Sequence, residues 1–190
     1  MIVDTATPIP GEQLAAAGVT GVFRYLSYIP GPKIVTQAEV ADLHAHGIAL
    51  ALVYEDTTND MGAGLDGGVE HGKVAVYEAA TLGAPPGTGI YFACDSNQVQ
   101  PGTRDTMCAA AFVADHYGYR PGWYGRADTG RMFVASRTVN LIWAVDTWPG
   151  GQDLTGVNVI QRANHPAVVI NGVWVDYDDQ ITADYGQWAA

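Results

Sequence analysis

Ile48-Ala49-Leu50-Ala51-Leu52-Val53-Tyr54-Glu55 is the stretch on which the fold turns. Its apolar run shows no polar alternation, which describes a strand buried on both faces, as in a parallel sheet covered by helices. It ends in an acid. Upstream, Thr36-Gln37-Ala38-Glu39 is a capping box that opens a helix, and Gly47 closes it. Downstream, an alanine-rich segment from about Asp66 to Leu82 reads as a helix stopped by Gly83, with Pro85-Pro86 beyond.

The same rhythm recurs along the chain. Ile2-Val3-Asp4 and residues 20–25 (TGVFRY) are strands, with a helix near 12–17 between them that stops at Gly18. Residues 89–94 (GIYFAC) form a buried strand ending in Asp95, followed by a helix over 103–117. Gly122-Trp123-Tyr124, a short helix over 129–135, Leu141 to Val145 and Val157 to Gln161 come next, and Asn171-Gly172 between two β-branched runs predicts a type I′ hairpin. About eight βα units predict an α/β fold, a compact (β/α)8 TIM-like barrel with irregular last units and a C-terminal β-hairpin, as one domain over residues 1–190. An open doubly wound sheet is the alternative, and the first strand lacks the glycine-rich phosphate loop that would favour it.

Composition narrows the function. In 190 residues, 9 Lys plus Arg face 20 Asp plus Glu, a formal charge of −11. Nucleic acid and anionic membrane surfaces are therefore excluded as partners. The N-terminus has no basic, apolar signal pattern, and no apolar run is long enough to span a membrane, so neither export signal nor membrane insertion is expected. Cys94 and Cys108 read as small buried hydrophobes, and His44-Ala45-His46 points its rings to different sides of a helix. No cofactor or zinc site is expected, and the chain is expected to be a monomer.

In a barrel, the strand ends converge on one mouth. In order they are Asp4, Arg24, Glu55, Asp95, Tyr124, Trp143, Gln161 and Asp176. Alternation puts Glu55 in line with Val53 and Ala51, Asp95 with Ala93 and Tyr91, and Asp176 with Trp174. Carboxylates gathered at a mouth of low dielectric cannot all ionise, and one protonated acid beside one ionised acid is what glycoside hydrolysis needs. Tyr124, Trp143 and Trp148 offer surfaces on which sugars stack, while Arg24, Tyr25 and Gln161 can hydrogen-bond hydroxyl or N-acetyl groups. Singly, each has a blander account: an Asp after a strand caps a helix, Arg24 neutralises a nearby acid, and the aromatics are core.

Asp4, Phe23-Arg24-Tyr25, Tyr54-Glu55, Ile90 to Asp95, Gly122-Trp123-Tyr124-Gly125, Trp143-Ala144, Gln161 and Gly172 to Asp176 fall in one order along almost the whole chain. In this the sequence resembles the glycoside-hydrolase-like barrel family of actinobacterial secreted proteins and phage lysins, related to the muramidases of glycoside hydrolase family twenty-five. The resemblance implies an acidic barrel mouth, lined by Asp4, Glu55, Asp95 and Asp176, that acts on or binds peptidoglycan. It also implies action at the bacterial cell wall, as a lysin released by other means or as a domain of a longer secreted protein. The related muramidases carry Asp-x-Glu on the fourth strand, where this chain reads Asp95-Ser96-Asn97.

With that glutamate missing, Glu55 is expected to be the general acid and Asp95 or Asp4 its ionised partner. A catalytically inactive glycan-binding barrel is the second expectation, and a divalent-metal hydrolase the third.

Overall fold

The computed structural model describes residues 1–189. Five βα units open the chain: β1 (Ile2–Asp4), α1 (Gly11–Ala16), β2 (Gly21–Leu26), α2 (Gln37–Ala45), β3 (Ala49–Tyr54), α3 (Gly64–Leu82), β4 (Gly89–Ala93), α4 (Thr103–His116), β5 (Arg120–Gly125) and α5 (Ala127–Ala135). Then come β6 (Leu141–Val145), β7 (Val159–Gln161), β8 (Val168–Ile170) and β9 (Val173–Gln180), with no helix between them. Strands β1 to β7 are parallel neighbours in chain order. Strand β9 runs antiparallel between β7 and β1 and closes an eight-stranded barrel.

The TIM-like barrel with irregular last units is thus present, with five helical crossovers where eight βα units were expected. The sixth crossover is a loop, residues 146–158, which carries Trp148. The last is the hairpin β8–β9, whose turn residues Asn171 and Gly172 have φ of 51° and 77°, the left-handed pair a type I′ turn requires.

Alternation along each strand separates two cores. Leu50, Leu52 and Tyr54 of β3 face the helices, and Ala51 and Val53 face the lumen. The lumen is filled by aromatic rings. Phe23 and Trp143 stack with centroids 4.1 Å apart, and Tyr91 meets both edge-on at 5.4 and 6.1 Å. Small neighbours make room: a Cβ at Gly122 would lie 2.7 Å from the Tyr91 ring. Tyr185 and the Tyr91 hydroxyl, which donates to the Tyr185 carbonyl at 2.9 Å, seal the lower end. The lumen is therefore a packed core open to ligands at its upper end alone.

Arg24 departs from its expected place. Its neighbours Phe23 and Tyr25 face inward, so period two turns Arg24 out, beneath α2. There it is buried, with Nε and Nη2 on the Glu39 carboxylate and Nη1 on the Thr5 carbonyl. This also explains why the capping box is half-made: Thr36 Oγ1 accepts from the Glu39 amide at 3.2 Å, while the Glu39 side chain goes to Arg24. Removing one partner of a buried pair strands the other's charge. Glu39→Ala is expected to lower unfolding stability by ~3–5 kcal/mol, measured by urea denaturation.

Candidate active site

The open end of the lumen is a cavity of about 310 Å³. Asp4, Glu55, Asp95 and Asp176 all line it, with Tyr25, Tyr124, Trp143, Trp148 and Gln161. Four acids that are far apart in sequence, and four of the five expected binding residues, therefore meet in one place. Arg24 does not reach it. Asn97 is also outside the lining and is exposed, with its backbone carbonyl facing Arg126.

Each acid arrives by a different route. Asp4 ends β1, and Glu55 and Asp95 lie just past β3 and β4, at the C-terminal ends of parallel strands. Asp176, also expected at a strand end, lies inside β9. Because β9 is antiparallel, its first half is at the mouth, and Asp176 is the direct cross-strand partner of Asp4.

Asp4 is the buried centre of a neutral hydrogen-bond network. Gln161 Nε2 donates to its Oδ2 at 2.8 Å and the Tyr25 hydroxyl to its Oδ1 at 3.4 Å, while the Tyr124 hydroxyl donates to Gln161 Oε1 at 2.9 Å. No cation reaches this carboxyl among the described residues. Burial, and then the neighbouring Asp176 charge, push its pKa up to about 7. Burial also raises Asp176, with the Asp95 charge adding to it.

Glu55 is different. Burial raises it, yet the Lys33 ammonium forms an ion pair with it and pulls the other way. Lys33 lies 4.3 Å over the Tyr25 ring, held there by a cation–π contact. The neighbouring acids have structural work. Asp56 accepts from Ser27, Tyr28 and Tyr54, and Asp60 caps the turn at Asp56 and Thr57. Glu55 alone of this acidic segment faces the mouth.

Two residues were not foreseen. Asp178 is fully buried below Asp4, with Trp143 Nε1 donating to its Oδ1 at 2.8 Å and its Oδ2 unpartnered. Burial, and then the Asp4 charge, push its pKa well up. Its signal was present in the sequence, since it is two residues beyond Asp176 on an alternating strand. Lys33 lies in the loop after β2, where no periodicity predicts a side chain's direction.

The sequence model of the family described as "Rv2525c-like, glycoside hydrolase-like domain" matches residues 12–184. "Putative peptidoglycan hydrolase Rv2525c" of Mycobacterium tuberculosis is 27% identical over 203 residues, covering 95% of this chain and 80% of that protein. The crystal structure of that Tat-secreted protein with L-tartrate superposes with a TM-score of 0.83 at 24% identity, over 99% and 98% of the two chains. GHIP, a glycosyl hydrolase 25 of Streptococcus pneumoniae, gives 0.67 at 12% identity over 94% and 86%. The modular Cpl-1 endolysin complexed with a peptidoglycan analogue gives 0.54 at 10% over 92% and 52%. The structural likenesses are likenesses of fold.

A carboxyl whose pKa is higher folded than unfolded loses stability as pH rises. For Asp4 the loss runs from its ordinary 3.8 to about 7 and is complete above that. Asp4→Asn removes the ionisation and keeps an acceptor. It is expected to stabilise the protein at pH 7.5 by on the order of 1–2 kcal/mol, with the gain vanishing below about pH 4, measured as urea midpoints across pH.

Proposed function

Because the chain belongs to the Rv2525c-like, glycoside hydrolase-like family, we propose that it is a peptidoglycan hydrolase, a lysozyme-like glycosidase working at its acidic mouth. The observation that carries this reading is the convergence of Asp4, Glu55, Asp95 and Asp176 with aromatic rings in one cavity at the open end of the barrel.

Glu55 is the general acid. Burial favours its protonated form, and it stands at the rim where a leaving-group oxygen would lie. Asp95, exposed at the end of the neighbouring strand, is the second carboxylate, acting as nucleophile or as base on a water. Asp4, oriented by Gln161 and Tyr25, holds a proton through the acidic range and offers it to a substrate hydroxyl or N-acetyl group. Asp176 supplies negative potential beside the positive charge that develops on the sugar ring in the transition state. Tyr25, Tyr124 and Trp148 form the walls and Trp143 the floor, where its ring stacks on Phe23. Arg24 has no part in binding. The similarity to the Tat-secreted protein Rv2525c, named "Putative peptidoglycan hydrolase", supports action at the bacterial cell wall; it gives no support to release as a phage lysin.

A glycan-binding barrel without catalysis is the second reading. It is favoured by Asn97 at the place of the muramidase glutamate and by the ammonium already paired with Glu55. Incubation with purified peptidoglycan separates the two. Hydrolysis gives new reducing ends, which Glu55→Gln should reduce by about 100-fold or more while leaving sedimentation with the wall intact. Sedimentation of the native protein with no new ends would establish the binding barrel instead. Activity is expected to persist in a chelator, and loss of it there would favour a metal hydrolase. The acid must be protonated to work, so the rate should fall as pH rises through the pKa of Glu55. Lys33→Met removes the charge that lowers that pKa and should move the alkaline limb of the pH profile to higher pH.

A further inference from the structure

Four of the five tryptophans are buried or half-buried, and Trp174 alone is open to solvent, with 71% of its surface exposed. Its position is fixed by β9. Trp174, Asp176 and Asp178 are spaced by two and so lie on one side of the strand. Asp178 faces the lumen and Asp176 the mouth. The next residue in that row, about 7 Å further along the strand, is Trp174. Here the strand has left the barrel, since Val173 to Val175 pair only with β8. The hairpin thus stands above the rim and presents an indole on the side that faces the mouth. Val169, its cross-strand partner and itself half exposed, shares that face.

A second cavity, of about 220 Å³, lies at the hairpin base and shares Ala163 and Asp176 with the first. Trp174 lines it, along with Arg162 and His165. Arg162 is held in place by Asp179 through Nε at 2.6 Å, and His165 by stacking on Tyr177 at 4.0 Å. A flat aromatic surface beside fixed hydrogen-bonding groups, adjoining the carboxylate site through the shared Ala163 and Asp176, suits a sugar ring with its equatorial hydroxyls or N-acetyl group.

Resting on the glycosidase reading above, we propose that Trp174 with Arg162 and His165 forms a second sugar subsite, so that the barrel engages a glycan strand of several residues. The subsite adds affinity for chain length and takes no part in bond cleavage.

The test uses β-1,4-linked N-acetylglucosamine dimer and hexamer titrated calorimetrically into the full chain carrying Glu55→Gln, which blocks turnover. The hexamer is expected to bind about tenfold tighter than the dimer. Adding Trp174→Ala should abolish that difference and leave dimer affinity unchanged, while Trp174→Tyr, which keeps a ring, should restore most of it. Because the indole is exposed, its truncation removes little packing, and circular dichroism verifies that the fold is kept. Equal hexamer affinity with and without the indole would overturn the subsite and leave the glycosidase reading standing. Failure of either oligomer to bind the parent protein would overturn both.

Discussion

The pairing of β1 with β9 is the constraint on which the rest of the molecule depends. Ile2 meets Asp178, Val3 meets Tyr177 and Asp4 meets Asp176, and those three pairs complete the closed sheet. Register here decides chemistry as well as closure. A slip of one residue would turn Asp176 and Asp178 to the outside and bring Tyr177 and Val175 to the lumen. The mouth would then lose one of its acids, and Trp143 would lose the acceptor for its indole N–H.

That closure sets acids against one another in a place with few cations. Asp4, Asp176 and Asp178 come from two adjacent strands, and each is pushed toward its neutral form mainly by burial. The fold tolerates this because neutral donors surround them: Gln161 and Tyr25 on Asp4, and Trp143 on Asp178. Dipoles can satisfy a carboxyl without fixing its charge, whereas the one ammonium at the rim, Lys33, favours ionisation of Glu55. Two kinds of acid environment therefore coexist at one mouth: carboxyls satisfied by neutral donors, and Glu55, set between burial that favours its proton and an ammonium that opposes it.

Much of this was legible in the sequence, and the failures have physical causes. Apolar runs ending in an acid located β3 and β4, and alternation within them gave the facing of Glu55 and Asp95, because parallel strands all present their C-terminal ends to one side. The same rule misplaced Arg24, for which counting back from Phe23 and Tyr25 would have turned the side chain outward. It reached Asp176 by a wrong premise, since antiparallel β9 brings its first half to the mouth. Assuming a strand end also hid Asp178, one step deeper on the same face. About eight βα units were expected, with the Asn171-Gly172 hairpin in place of the last crossover helix, as it is; the count is lower because the loop over 146–158 also crosses without a helix. Lys33 was beyond sequence reasoning, because a loop side chain takes its direction from tertiary contacts, here the Tyr25 ring.

The closing pair also has a meaning in time. Contacts between β1 and β9 span more than 170 residues of chain, the longest loop closure in the fold, while β1 to β6 pair successively with near neighbours in sequence. Pairings of such separation form late, because the chain entropy must be given up before the contact rewards it. Until β9 docks, Asp4 lacks Asp176 beside it and the lumen is an open sheet. Assembly of the cleft thus depends on the longest-range pairing in the sheet, and a chain stopped or clipped before Asp176 carries Asp4, Glu55 and Asp95 but no closed barrel to gather them.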